Sequence, residues 1–237
     1  MTWGDRVAGI AATLEAGNTI LGSRELPSRT ALKTVVEPLG HSVHHYGMYT
    51  PEDKASLTYV MNGLLARRGL PLLDRARYHA LFDFPVRNYY ARLGFDPARD
   101  SFEQLSVEFI SAYDARRLEC ELHAGVETLL PAVSAAGLNQ SILSAYRQQT
   151  LEEIVAHFDL TRHFVRLNGL DNIYAHSKAE LGRAWLRELA LPTSDILLIG
   201  DTLHDLEVAR ELGIDCILVA AGHHPAERLR AGHEWPP

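Results

Sequence analysis

The chain has 237 residues, 46% hydrophobic and 22% charged, enough to bury a substantial core in one domain that carries a subdomain. Its net charge of −7 argues against a nucleic-acid partner and leaves small anionic substrates open, because these answer to local charge. No apolar run is long enough for a bilayer and no charged-plus-apolar leader stands at the start, so no membrane role is expected. Two cysteines, Cys120 and Cys216, are too few for a disulfide framework, and the expected setting is the reducing cytoplasm.

In chain order, Val7, Ile10, Ala11 and Leu14 predict a short amphipathic helix. Ser28 predicts the cap of another, holding Ala31, Leu32, Val35 and Val36 until Pro38 stops it. From Leu57 to Leu122 the pattern is helical throughout. Leu57, Val60, Met61, Leu64 and Leu65 keep i, i+3, i+4, i+7, i+8 spacing, and Phe102, Leu105, Phe109 and Tyr113 form a second stripe. Beyond Gly125 helices and strands alternate: helix 126–136, strand 140–144, helix 150–158, strand 164–167, helix 178–190, strand 196–200, helix 204–212 and strand 216–220. Such alternation predicts right-handed βαβ units, hence an α/β fold with a Rossmann-like parallel sheet and a small helical lid. The expected parts are an atypical amino-terminal segment (1–56), a helical cap (57–124) and the sheet core (125–237).

The most informative stretch is Ile196-Leu197-Leu198-Ile199-Gly200-Asp201-Thr202-Leu203-His204-Asp205. The apolar run reads as a strand covered on both faces, and Leu206, Ala209 and Leu212 continue at helical spacing until Gly213. Asp201 thus falls in a strand-to-helix turn at the carboxyl edge of a parallel sheet, where ligands bind. Asp205 lies one helical turn on, on roughly the same face. Two hard oxygen donors there suit Mg²⁺, although an Asp in such a turn also serves as a helix cap worth about 1 kcal/mol. Upstream, Asn139 to Ala145 is a short apolar run ending in Ser144, whose hydroxyl, with backbone amides such as that of Ala145, can hold phosphate oxygens. Ser177 and Glu180 make a capping-box pattern that puts Lys178 in a first helical turn. A lysine there opposes the helix dipole, so it predicts an anion nearby.

Taken together, Ser144, Lys178 and Asp201, in that order and each at a strand end or helix start, resemble the later signatures of the haloacid-dehalogenase-like hydrolase superfamily. The lid segments Ala66-Arg67-Arg68-Gly69-Leu70-Pro71, Leu81 to Val86 and Tyr89 to Phe95 resemble the small helical cap of its phosphoglycolate-phosphatase-like members. The resemblance covers roughly residues 57 to 224. It implies hydrolysis of a small phosphorylated metabolite through an aspartyl-phosphate, with Mg²⁺ on Asp201 supported by Asp205, and Ser144, Ala145 and Lys178 holding the phosphoryl group. Covalent catalysis of this type divides one hard displacement into two easier ones. The cap would close over the substrate and exclude water.

The family's attacking acid, in a strand-borne Asp-x-Asp, has no match. About twenty residues before Ala66 the sequence reads Leu39-Gly40-His41-Ser42-Val43-His44-His45-Tyr46-Gly47. Asp83, in Phe82-Asp83-Phe84-Pro85, lacks a second carboxylate and belongs to the cap by its flanks. Glu52 and Asp53 read as first-turn acids of a helix near Lys54, and Asp5 has no strand before it. The nucleophile is therefore unassigned. The alternative is a catalytically inactive phosphate-binding or scaffold homologue. His41, His44 and His45, and the pair His223-His224, lack the companions of a zinc site. Arg87 and Arg92 are cationic lid residues able to meet a substrate. Oligomeric state is left open.

Overall fold

The computed structural model describes residues 57–119, 122, 126–171, 178–220 and 222–232, together with the backbone of 20–22 and 34–37. Six strands pair in the order β1-β6-β5-β2-β3-β4. These are β1 (Ile20–Gly22), β2 (Thr34–Glu37), β3 (Asn139–Arg147), β4 (Arg166–Leu170), β5 (Ile196–Gly200) and β6 (Asp215–Val219). All are parallel except β1, which runs antiparallel along β6. The sequence correctly predicts the α/β class and the four strands beyond Gly125, with ends that differ by a few residues.

The amino-terminal expectation is corrected. Val35 and Val36 lie in β2, a strand in the middle of the sheet, parallel to β3 on one side and β5 on the other. The predicted helix fails because Thr34-Val35-Val36 is a β-branched run, stiff at χ1 and suited to a pleated surface. Strand β1 was not foreseen, and the helix expected over Val7 to Leu14 lies outside the described residues.

The chain divides into two compact units, one of Met1–Ser42 with Ala124–Pro237 and the other of Val43–His123. The second unit is helical: α1 (Leu57–Ala66), α2 (Arg75–Leu81), α3 (Val86–Leu93) and α4 (Phe102–Asp114). Its core holds Leu64, Leu65, Leu93, Leu105 and Tyr113, all fully buried. The two predicted stripes supply most of these contacts. Arg68, in the turn after α1, reaches Asp100 at 2.6 Å and Glu108 of α4 at 2.8 Å, and Tyr78, Phe82 and Tyr89 pack their rings together.

In the first unit the sheet is flanked by α5 (Val126–Ala135), α6 (Gln148–His157), α7 (Lys178–Leu189), α8 (Leu203–Leu212) and α9 (Ala226–Gly232). Strand β5 shows why its sequence is apolar from end to end. Ile196 and Leu198 pack with Leu206, Ala209 and Leu212 of α8, while Leu197 and Ile199 pack on the other face with Leu129 and Val133 of α5. Both faces are dry, as a parallel strand with helices on either side requires. Among the described residues no helix is long and apolar enough to cross a membrane.

Candidate active site

Strand order reverses at β2: the chain proceeds outward through β3 and β4, then returns to β5 and continues to β6 on the other side. Such a reversal opens a crevice at the carboxyl ends of the strands flanking it. Glu37, the last residue of β2, pairs with Ile142 of β3, and Val36 pairs with Leu198 of β5. Ser144 lies two residues past the β3 partner of Glu37, and Asp201 three past the β5 partner of Val36, one strand to either side of β2 toward its carboxyl end. Two ladder spacings separate them, about 10 Å between backbones.

Asp201 follows β5 directly and is 7% exposed. The next residues form a complete helix start. Thr202 caps α8, its hydroxyl accepting the Asp205 N–H at 3.2 Å, while Asp205 returns a carboxylate oxygen to the Thr202 N–H at 3.1 Å. That reciprocal pattern satisfies donors that a helix start otherwise leaves unpaired. The same oxygen, Oδ2, also accepts the Thr202 hydroxyl at 2.7 Å and the Asp201 N–H at 3.2 Å. Its Oδ1 accepts from Lys178 Nζ at 2.5 Å. Lys178 is the first residue of α7, and both side chains of this ion pair are nearly inaccessible to water. The anion that the lysine's position calls for is therefore Asp205, and both oxygens of that carboxylate are engaged within the fold. Ser177, the expected cap of α7, lies outside the described residues.

A turn from farther along the chain braces Asp201. The His223 N–H donates to Asp201 Oδ2 at 2.7 Å, and the His224 N–H donates to the Asp201 carbonyl oxygen at 3.3 Å. Gly222 packs so closely that a methyl group placed on it would occupy the Asp201 carboxylate. The His224 ring accepts the Leu203 N–H at Nδ1, 3.1 Å away. His223 and His224 thus belong to this site through backbone and ring hydrogen bonds, a role their sequence context does not suggest. The only signal was their adjacency to a glycine two residues after the last strand-forming segment.

Mg²⁺ takes hard oxygen donors. Asp201 suits it as one ligand: a hard oxygen donor at a sheet edge, held in place on Oδ2 by a backbone amide. Mg²⁺ is commonly taken by one or two carboxylates together with water and substrate phosphate. Among the described residues no group of three or more His, Cys, Asp or Glu side chains is assembled that could hold an ion by itself.

Ser144 is fully buried, but it does not end its strand as expected, because β3 continues to Arg147. The ladder with β4 loses register between Leu143 and Arg147, and Ser144 is the first residue of that irregular stretch. Its hydroxyl accepts the Tyr146 N–H at 3.1 Å, which turns the backbone there; Ala145 between them is half-buried. In the helical unit, Asp83 pairs with Arg92 at 3.4 Å and accepts the Phe84 N–H. Arg87 pairs with Glu103 and lies 4.3 Å over the Phe102 ring. Asp5, His41, His44, His45, Glu52, Asp53 and Lys54 lie outside the described residues.

A model of the haloacid dehalogenase-like hydrolase family matches residues 52–219. A 5'-nucleotidase of Pseudomonas aeruginosa is 30% identical over 188 residues, covering 76% of this chain and 82% of the relative. An N-acetylmuramic acid 6-phosphate phosphatase of Pseudomonas putida is 26% identical over 176 residues, covering 71% and 77%. Among solved structures, a haloacid dehalogenase-like hydrolase of Streptococcus pneumoniae shares the fold with a TM-score of 0.69 at 20% identity, over 86% of this chain and 92% of that one.

Proposed function

The chain belongs to the haloacid dehalogenase-like hydrolases, and from that premise we propose that it hydrolyses a small phosphate monoester in a cytoplasmic setting, with Mg²⁺ on Asp201. The observation that carries this reading is that Asp201 and Ser144 lie past the last β2 pairs of β5 and β3, on either side of β2 at the point where strand order reverses. When bound, the ion would offset negative charge on the phosphoryl oxygens. Lys178 brings a cation to a first helical turn and, with the Ser144 hydroxyl and the Ala145 amide, would hold those oxygens. Asp205, engaged on both oxygens, supports the site by fixing the lysine and the Asp201 turn. Residues 57–124 are the cap that selects the substrate, and residues 125–237, together with strand β2 between β3 and β5, form the catalytic core. The relatives named phosphatase and nucleotidase support a phosphorylated metabolite as substrate class.

One observation favours a second reading, in which the protein binds phosphate without turning it over. Strand β2 ends at Glu37, and the residues that follow are Pro38, Leu39 and Gly40, with no carboxylate before Glu52. The experiment is release of phosphate from monoesters such as phosphoglycolate, with and without Mg²⁺, for wild type and Asp201→Ala. Metal-dependent release that disappears in Asp201→Ala supports the hydrolase. Binding of inorganic phosphate with no turnover and no trapped aspartyl-fluoroberyllate selects the second reading, and release indifferent to both metal and substitution refutes the role of Asp201.

A further inference from the structure

On the reading of Asp201 as the Mg²⁺ ligand, we propose that His224 is a positioning residue for that carboxylate, acting through the turn it shares with Gly222 and His223. The first N–H groups of a helix have no acceptor within the helix. At the start of α8, Thr202 Oγ1 takes the Asp205 N–H, and the Leu203 N–H is taken by the His224 ring, 21 residues farther on. That ring is 0% exposed. Because Nδ1 accepts, the ring proton is assigned to Nε2. The same residue's N–H holds the Asp201 carbonyl, its neighbour's N–H holds Asp201 Oδ2, and Gly222 supplies the surface on which the carboxylate rests.

Asp201 is therefore gripped from one side by the cap of α8 and from the other by the 222–224 turn, and the His224 imidazole joins these two grips. Removing its acceptor leaves a partly buried N–H without its partner and releases one turn from the other. The carboxylate then loses its fixed aim although no ligand atom has been deleted. Groups that orient a metal ligand in this way typically change affinity by 10- to 100-fold when substituted.

The test uses the full chain and Mn²⁺ as probe, followed by calorimetric titration and by the electron paramagnetic resonance of free Mn²⁺, so that it does not depend on turnover. His224→Leu removes the acceptor, His224→Asn keeps an oxygen where Nδ1 stands, and Ile154→Ala in α6 lowers thermal stability away from the turn. The expected result is about tenfold weaker Mn²⁺ binding for His224→Leu, binding within about threefold of wild type for His224→Asn, and no change for Ile154→Ala. Should His224→Leu fail to fold, His224→Gln replaces it, since Gln sets its oxygen where Nε2 stands and misses Leu203. Equal affinity in the Asn and Leu (or Gln) variants, with binding lost in Asp201→Asn, overturns the positioning role and leaves the metal site standing. Unchanged binding in Asp201→Asn overturns the site and this inference together.

Discussion

Replacing Lys178 by Met keeps most of the side-chain volume and removes the charge facing Asp205. At 2.5 Å and an effective dielectric constant of about 20 the attraction between the two charges is about 7 kcal/mol, most of it offset by the cost of taking both ions out of water. The net worth of the pair is therefore small, but the cost of breaking it is not. A buried partner left uncompensated destabilises a protein by about 3–5 kcal/mol. Here Asp205 keeps three donors on Oδ2 and loses its partner on Oδ1, which points to the lower end, about 3 kcal/mol. For a chain of this length that corresponds to a fall in Tm of roughly 6–12 °C. The companion Asp205→Asn keeps the acceptor for the Thr202 and Asp201 amides and strands the lysine instead. Combining the two substitutions removes both ions of the pair, so a double-mutant cycle in urea should show the double variant more stable than the sum of the singles by about 2–3 kcal/mol. Additive effects, or a loss below about 0.5 kcal/mol for Lys178→Met, would refute the argument, since that is how a solvated surface lysine behaves.

Two further outcomes concern pH. Burial pushes the Cys216 thiol well up from its ordinary value of 9.0. Native protein at pH 8 should therefore leave Cys216 unmodified by a thiol reagent, as read by peptide mapping. Neither state of this group ionises below 9.0, so it adds no pH dependence there; above that value only the unfolded chain loses the proton and stability falls. Cys216→Ala should flatten the decline of the urea midpoint between pH 9 and 10.5, on the order of the window set by the ordinary thiol value. In the helical unit, burial raises the Glu108 carboxyl, and the hydrogen bonds from Arg68 and Arg67 more than offset this, leaving it below its ordinary 4.5. Its contribution is present above 4.5 and lost as pH falls below, so Glu108→Gln should flatten the acid limb of the stability curve. An unchanged acid limb would show that the arginine pairing contributes nothing in solution.

Much of the core was legible because burial leaves a plain mark on composition. The strand Ile196–Gly200 was read from end to end, since helices on both faces demand apolar residues at every position and Gly200 closes the run. What stayed hidden is tertiary. Val35 and Val36 share a helical spacing with Ala31 and Leu32, and a four-residue strand is too short to show a period of two against that pattern. Ser144 looks locally like a strand end, because nothing near it reveals that the ladder shifts register and continues to Arg147. The family resemblance marked Lys178 and Asp205 as site residues, but their contact spans 27 positions, and so their mutual engagement could not be read from spacing. His223 and His224 have the same difficulty: nothing near them in sequence points to a carboxylate 22 residues earlier.

The middle rung of the sheet has a consequence for how the molecule assembles. Thr34 pairs with Asn139, so β2 and β3 are neighbours only after the chain has travelled out through the whole helical unit and come back. Closing an excursion of about 100 residues costs on the order of 4 kcal/mol in chain entropy when the excursion is slack. Helices α1 to α4 close over shorter stretches, as where Arg68 meets Glu108 across 40 residues, so their order costs less chain entropy than the β2–β3 pairing and would shorten the slack if it came first. The rate at which the crevice between β2 and its neighbours is built should therefore follow the stability of the inserted helices, so a core substitution such as Leu105→Ala in α4 should slow refolding as well as speed unfolding.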